Sequence, residues 1–132
     1  MITVINLKEI AKARLKDARI LYDNKRYDAS VYLCGYSVEL ALKAKICNTL
    51  KWNGFPESSR EFQNRQSLKT HDLDTLLMFS GIEDRIKNYF LSEWSVVSSW
   101  KPENRYKPVG SENKSATEDM INAVTVLLRA IR

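Results

Sequence analysis

The stretch GYSVELALKAKI, residues 35–46, decides the fold class of this chain. Its apolar residues fall on almost every side of a helix, and the pattern continues from Tyr27 to about Trp52. A helix that is apolar nearly all round has to be buried between neighbours. We therefore predict a central helix over about residues 27–52, surrounded by the other helices of a bundle.

The remaining helices are predicted from amphipathic patterns on either side. Apolar residues at helical spacing indicate a first helix over residues 5–23, and its short connection to the central helix makes the two antiparallel. Residues 53–70 are polar and predict a long connection that is either mobile or functional. A short third helix follows, capped by Thr70 or Asp72 and ended by Gly81.

Two more helices complete the chain. Residues 83–100 predict a fourth helix with one apolar side formed by Ile86, Tyr89, Phe90, Trp94 and Val97. Residues 101–114 are typical of a loop, and Ser115 with Glu118 has the spacing of a capping box for a last helix. The sequence thus predicts an all-α fold, an antiparallel (up-and-down) bundle of four to five helices.

Length and composition indicate a single domain over residues 1–132. A chain of this size can bury one ordinary core, and its 4 Gly and 3 Pro favour helices over a turn-rich β fold. The N-terminus lacks the features of a signal peptide, and no stretch is apolar enough to span a membrane. We expect a soluble cytoplasmic protein without membrane contact.

The chemistry-bearing residues exclude several classes of site. Cys34 and Cys47 fall on one helix about 20 Å apart, so we interpret them as buried and unpaired. One histidine and two distant cysteines supply no metal ligand set, and Asp72 and Asp74 point to different sides of a helix start. We expect no metal and no cofactor. The net charge of +5 favours anionic partners, but the basic residues are dispersed without a polybasic block.

Glu39 is the residue that does not fit a buried helix. Lys43 lies four residues later, but an exposed ion pair at this spacing contributes only about 0.2–0.5 kcal/mol. A buried carboxylate needs stronger compensation, such as a bidentate bond from an arginine. We predict a polar cluster of Glu39, Lys43 and either Arg14 or Arg105, which fixes helix register or binds a ligand.

Four elements of the sequence together resemble the HEPN domains of prokaryotes. They are the run Asn-Lys-Arg-Tyr-Asp-Ala at 24–29, the stretch at 35–46, the opening His71-Asp72-Leu73 of the third helix, and Arg105-Tyr106 after Trp100. The resemblance spans roughly residues 7–130. It implies a helical bundle that forms a homodimer, is often paired with a nucleotidyltransferase in toxin–antitoxin or defence systems, and in many members cleaves RNA without metal.

The resemblance also implies where catalytic residues would lie. Its ribonucleases carry an arginine and a histidine separated by four to six residues, and Arg65 and His71 are separated by five. Here, however, both residues precede or open the third helix, and the later region 84–100 contains Arg85 but no histidine. A structural role for His71 is the alternative, with its ring bonded to a carboxylate or loop carbonyl. Another is that His71 and Arg105, beside Tyr106, share a phosphate pocket.

Three function classes stay open. The first, which we favour, is a non-catalytic dimeric HEPN module that binds a nucleotide or a protein partner, such as a nucleotidyltransferase. The second is a metal-independent ribonuclease toxin that uses Arg65 and His71. The third is a helical protein-interaction subunit with no role in nucleic-acid binding.

Overall fold

The computed structural model describes residues 1–132 and contains six α-helices and one very small sheet. The elements in chain order are β1 (Ile2–Thr3), α1 (Val4–Asp23), α2 (Tyr27–Leu50), β2 (Gly54–Phe55), α3 (Leu73–Ser80), α4 (Glu83–Tyr89), α5 (Leu91–Val97) and α6 (Lys114–Ile131). Short 3₁₀ helices cover Gln66–Leu68 and Pro102–Tyr106. The predicted all-α bundle is confirmed. None of the helices combines the length and the apolar character that crossing a membrane requires.

Helix α2 is the centre of the bundle, as its sequence predicts. It packs against α1, α3 and α6, and eleven of its residues are buried. Two buried serines join it closely to α1. The Ser30 hydroxyl donates to the Ala18 carbonyl at 2.7 Å, and the Ser37 hydroxyl donates to the Ala11 carbonyl at 2.6 Å. These paired contacts run in opposite directions along the two helices, so α1 and α2 are antiparallel.

Gly35, which opens the deciding stretch, allows an aromatic ring to lie directly on α2. A Cβ atom at this position would overlap the Trp100 ring. Trp100 is buried, and its indole Nε1 donates to the Tyr32 carbonyl at 3.1 Å. Because Gly35 has no side chain, Trp100, which follows α5, can pack directly against the middle of the central helix.

The prediction of one continuous fourth helix is wrong, because the chain bends at Phe90. This residue has φ −134° and ψ 31°, which ends α4 and precedes α5. On a straight helix, Ile86 and Trp94 would lie about 80° apart around the axis. The bend lets both bury against the core, whereas Tyr89, expected on the apolar side, is 78% exposed.

Both predicted helix caps also need correction. Asn113, not Ser115, caps α6 and accepts a hydrogen bond from the Ala116 backbone N–H at 2.8 Å. Asp72 does occupy the position before α3, but its carboxylate accepts from the Thr75 hydroxyl and bonds no backbone N–H. The Thr70 hydroxyl does accept from a backbone N–H, that of Asp72 at 3.1 Å, which lies before the first residue of α3. The 53–70 connection contributes β2, which pairs antiparallel with β1, and its apolar residues Phe55, Phe62 and Leu68 join the core.

Candidate functional site

The buried carboxylate of Glu39 organises a small polar cluster on α2. Glu39 is only 1% exposed. Its Oε2 accepts from the Lys43 Nζ at 3.0 Å, and its Oε1 lies 3.0 Å from the Nδ1 of His71. Because a carboxylate costs several kcal/mol to desolvate, these two bonds explain how it can be buried. We call Glu39, Lys43 and His71 the polar cluster.

Each member of the polar cluster is positioned by a different part of the chain. Helix periodicity places Lys43 one turn after Glu39, and the Nζ of Lys43 also lies 5.1 Å from the centre of the Phe55 ring. His71 lies just after the 53–70 connection and two residues before α3. Buried Phe55 and Leu68 fix that connection against the bundle and so hold the histidine beside α2.

The geometry of His71 leaves one ring nitrogen free. An ionised carboxylate can only accept hydrogen bonds. The Nδ1 of His71 therefore carries the proton and donates a hydrogen bond to Glu39. Nε2 makes no hydrogen bond, and the side chain is 62% exposed. In the neutral ring, Nε2 therefore offers a lone pair to solvent, which is the arrangement that an oriented general base requires. Nearby, burial and then the charge of Glu39 raise the pKa of Tyr36.

Neither arginine expected beside Glu39 is found there, so that prediction is corrected. The Nη1 of Arg14 pairs instead with the Oδ2 of Asp17 at 2.7 Å on the same helix. Arg105 lies in the 3₁₀ helix Pro102–Tyr106, where its guanidinium stacks 4.8 Å from the centre of the Tyr106 ring. The second partner of the Glu39 carboxylate is His71. The 53–70 connection places its ring beside Oε1, the oxygen that Lys43 does not bond.

The alternative pairs of the sequence analysis are not assembled. Arg65 stacks on Trp52, with its Cζ 4.5 Å from the ring centre, and makes no hydrogen bond to His71. The cavity beside Arg105 is formed by the α2 N-terminus and the 104–112 loop, and His71 does not line it. His71 therefore shares a site with Glu39, not with either arginine.

Outside the polar cluster, the two thiols are buried and Asp74 has a structural partner. Cys34 and Cys47 are buried and free, as predicted, and burial raises their pKa values to about 12 and about 11. The Asp74 carboxylate accepts from the Trp94 indole Nε1 at 2.8 Å and joins α3 to α5. No three His, Cys, Asp or Glu side chains come together as a possible metal site.

A second candidate site lies between α1, α2 and α6, on a different face of α2. It is an open groove of about 500 Å³ with no acidic side chain in its lining. We call it the basic groove, and its cations are Lys8, Lys12, Arg19, Lys45, Arg129 and Arg132.

The six cations of the basic groove have no counter-charge in the chain. None of them forms an ion pair with a carboxylate. Five are exposed and Lys45 is half-buried. Arg19 is held by a neutral partner, since its Nη2 donates to the Thr125 hydroxyl at 2.8 Å and links α1 to α6. The groove therefore presents a concentrated positive charge to solvent.

Sequence reasoning missed the basic groove because its cations are spread over 125 positions of the chain. The one available signal was the spacing within each helix. Lys8, Lys12 and Arg19 recur at helical periodicity on α1, and Arg129 and Arg132 lie three residues apart at the end of α6 and just after it. Only the packing of the helices shows that these stripes face each other.

A family model described as "HEPN domain" matches residues 5–54. The matched part is less than half of the chain, and over it the chain is similar to HEPN domains. The match confirms the resemblance for the elements at 24–29 and 35–46, and it does not reach those at 71–73 and 105–106. No curated protein and no solved structure matches the chain.

The matched HEPN region carries most of both candidate sites. It comprises α1, α2 and the start of β2. Glu39 and Lys43 of the polar cluster lie within it, as do the four groove cations contributed by α1 and α2. His71 and the two cations of α6 lie beyond it, so each site is completed by residues outside the matched HEPN region.

Proposed function

We propose that this HEPN protein is a non-catalytic binding module whose basic groove receives an anionic ligand, either a nucleotide or an acidic protein partner. The observation that carries the proposal is the set of six cations without counter-charge in one groove. A protein surface of one sign attracts and orients ligands of the opposite sign. Unpaired positive charge held together by three helices is therefore explained by an anionic partner.

The polar cluster has a structural role in this proposal. Glu39 ties α2 to His71, two residues before α3, so it fixes the end of the 53–70 connection and the position of α3. The arginine that the ribonuclease members use is not beside His71, because the Arg65 side chain stacks on Trp52. This separation supports a binding role over catalysis.

The proposal extends to the setting that the HEPN resemblance implies. We propose that the module acts as a homodimer in a toxin–antitoxin or defence system, with a nucleotidyltransferase as a partner protein. Support for this extension comes from the family alone.

Charge reversal in the groove tests the proposal directly. The double variant Lys12→Glu/Arg129→Glu is compared with Lys69→Glu/Lys101→Glu, whose two cations are exposed, unpaired and outside the groove. Both double variants change the net charge by the same amount. The probe is the salt concentration that elutes each protein from immobilised heparin, with helical content checked by circular dichroism.

Only the groove variant is expected to elute at clearly lower salt than the wild type, because its charges act together at short range. If both double variants elute at the same salt concentration, total charge governs binding. The proposal that the basic groove is the anion-binding site would then be refuted.

A second candidate function, metal-independent RNA cleavage, is favoured by one observation. The carboxylate of Glu39 orients the ring of His71 and leaves Nε2 open to solvent. An oriented imidazole of this kind can accept a proton from a ribose 2′-hydroxyl.

Incubation of total RNA with the purified protein in EDTA tests the second candidate. Wild type, His71→Ala and Arg65→Ala are compared on a gel. Cleavage that both substitutions abolish would establish the ribonuclease and refute the non-catalytic proposal. Intact RNA with all three proteins is the result expected for a binding module.

A further inference from the structure

The geometry points to a specific occupant for the basic groove, an amphipathic helix with acidic flanks that belongs to another protein. This inference rests on the proposed function, since it takes the groove as the anion-binding site and names the partner class.

The floor of the basic groove is aliphatic. It is formed by Leu15, Ala41, Ala44, Leu128 and Ile131. No aromatic side chain lines the groove, whereas single-stranded nucleic acids and nucleobases are held largely by stacking on aromatic rings. A small aliphatic floor suits the branched side chains of an apolar helix face, with the two alanines leaving space for them.

The groove also lacks the backbone donors that hold compact phosphates. Phosphate sites commonly use the free N–H groups at a helix N-terminus or in a glycine-rich loop. Here α2 contributes residues from its last third, α6 contributes its C-terminal turns, and no glycine is present in the lining. The anion is bound by side chains alone.

The cations are distributed along the groove instead of being gathered at one point. From Lys8 to Arg19 the α1 residues span about 16 Å of helix axis, or about three turns. Arg129 and Arg132 add a second row from α6. Carboxylates at i, i+4 and i+11 of a docked helix have the same spacing as Lys8, Lys12 and Arg19, so several separate ion pairs can form along the groove. This is the helix-in-groove mode of recognition with a charged rim.

A designed peptide provides the probe for this inference. It is a fluorescein-labelled helical peptide of three to four turns, with one face of Leu and Ile and with Glu on both flanks. Its controls are the same peptide with Lys in place of Glu, a scrambled peptide of the same composition, a single-stranded oligouridine, and ATP. Fluorescence anisotropy and competition give the dissociation constants.

The wild-type protein should bind the acidic helical peptide at least about tenfold more tightly than the scrambled peptide or the oligouridine. Lys12→Glu/Arg129→Glu should lose at least about tenfold in affinity, while Lys69→Glu/Lys101→Glu should keep the wild-type value. In addition, the groove variant should gain affinity for the Lys peptide, a rescue that misfolding cannot produce.

Three distinct results would overturn the inference. Tighter groove-dependent binding of oligouridine or ATP than of the peptide would exclude the helical partner but leave the proposed anion-binding function intact. Binding of every probe that is unaffected by Lys12→Glu/Arg129→Glu would refute both. Failure of the acidic peptide to bind better than its scrambled control would also exclude a helical partner.

Discussion

Replacing Glu39 with Gln should destabilise the protein well beyond what an ordinary helical ion pair contributes. The carboxylate is 1% exposed and the Lys43 side chain is 13% exposed. Removing one partner of a fully buried pair costs about 3–5 kcal/mol. His71 is largely exposed and can bond water, and the Gln amide oxygen still accepts from Lys43, so we expect a loss of about 2–3 kcal/mol.

Urea unfolding followed by tryptophan fluorescence is a suitable assay, because Trp94 and Trp100 are buried in the core. For a domain of this size, the expected loss lowers Tm by roughly 10 °C. Glu83→Gln is the matched control, since Glu83 and Lys87 form the same type of pair on the surface of α4 at 3.3 Å. The control should change stability by less than about 0.5 kcal/mol.

A double variant separates the buried charge from simple loss of packing. When Glu39→Gln is combined with Lys43→Met, neither charge is left without its partner. The double variant should therefore recover a large part of the stability that Glu39→Gln loses. If Glu39→Gln changes stability no more than Glu83→Gln does, the polar cluster does not stabilise the bundle and our explanation of the buried carboxylate is refuted.

Three further predictions concern the core and the loop that follows α5. Gly35→Ala should cost about 1–3 kcal/mol in urea unfolding, because the new methyl group overlaps the Trp100 ring, and a neutral effect would contradict this close approach. Backbone N–H groups of the 110–112 loop lower the pKa of Asp28 below its ordinary value of 3.8, so this residue contributes stability above that pH and the contribution is lost as pH falls through its lower folded value. In the wild type, the backbone N–H groups of the 110–112 loop should therefore lose their protection from hydrogen exchange at low pH. In Asp28→Ala these groups should be unprotected already at neutral pH. Cys34 and Cys47 should react with iodoacetamide only on unfolding, since burial raises both pKa values, and rapid labelling of the native protein would show that the helix opens locally.

The polar cluster shows where sequence reasoning stops. The proximity of Glu39 and Lys43 follows from helix period alone. The alternative that the His71 ring bonds a carboxylate agrees with the structure, but the sequence could not identify Glu39 as that carboxylate, because the two residues lie 32 positions apart and are joined by an irregular connection. An arginine was the reasonable expectation on chemical grounds, but the course of the connection placed the only histidine of the chain there.

The helices themselves were predictable to different degrees. The bounds of α1 and α2 follow from long periodic patterns and differ from the structure by one or two residues. The sequence has no Gly or Pro near Phe90 that would predict the bend. At this bend Ile86 and Trp94 are both buried, while Tyr89 is exposed.

The sequence by itself determined the all-α class, the buried central helix, its antiparallel pairing with α1 and the HEPN resemblance, because these depend on local periodicity and short connections. Only the tertiary structure decided the contact of His71 with Glu39 and the union of six dispersed cations in one groove. These depend on how three helices pack against each other and on where a long connection crosses them, which no local pattern encodes.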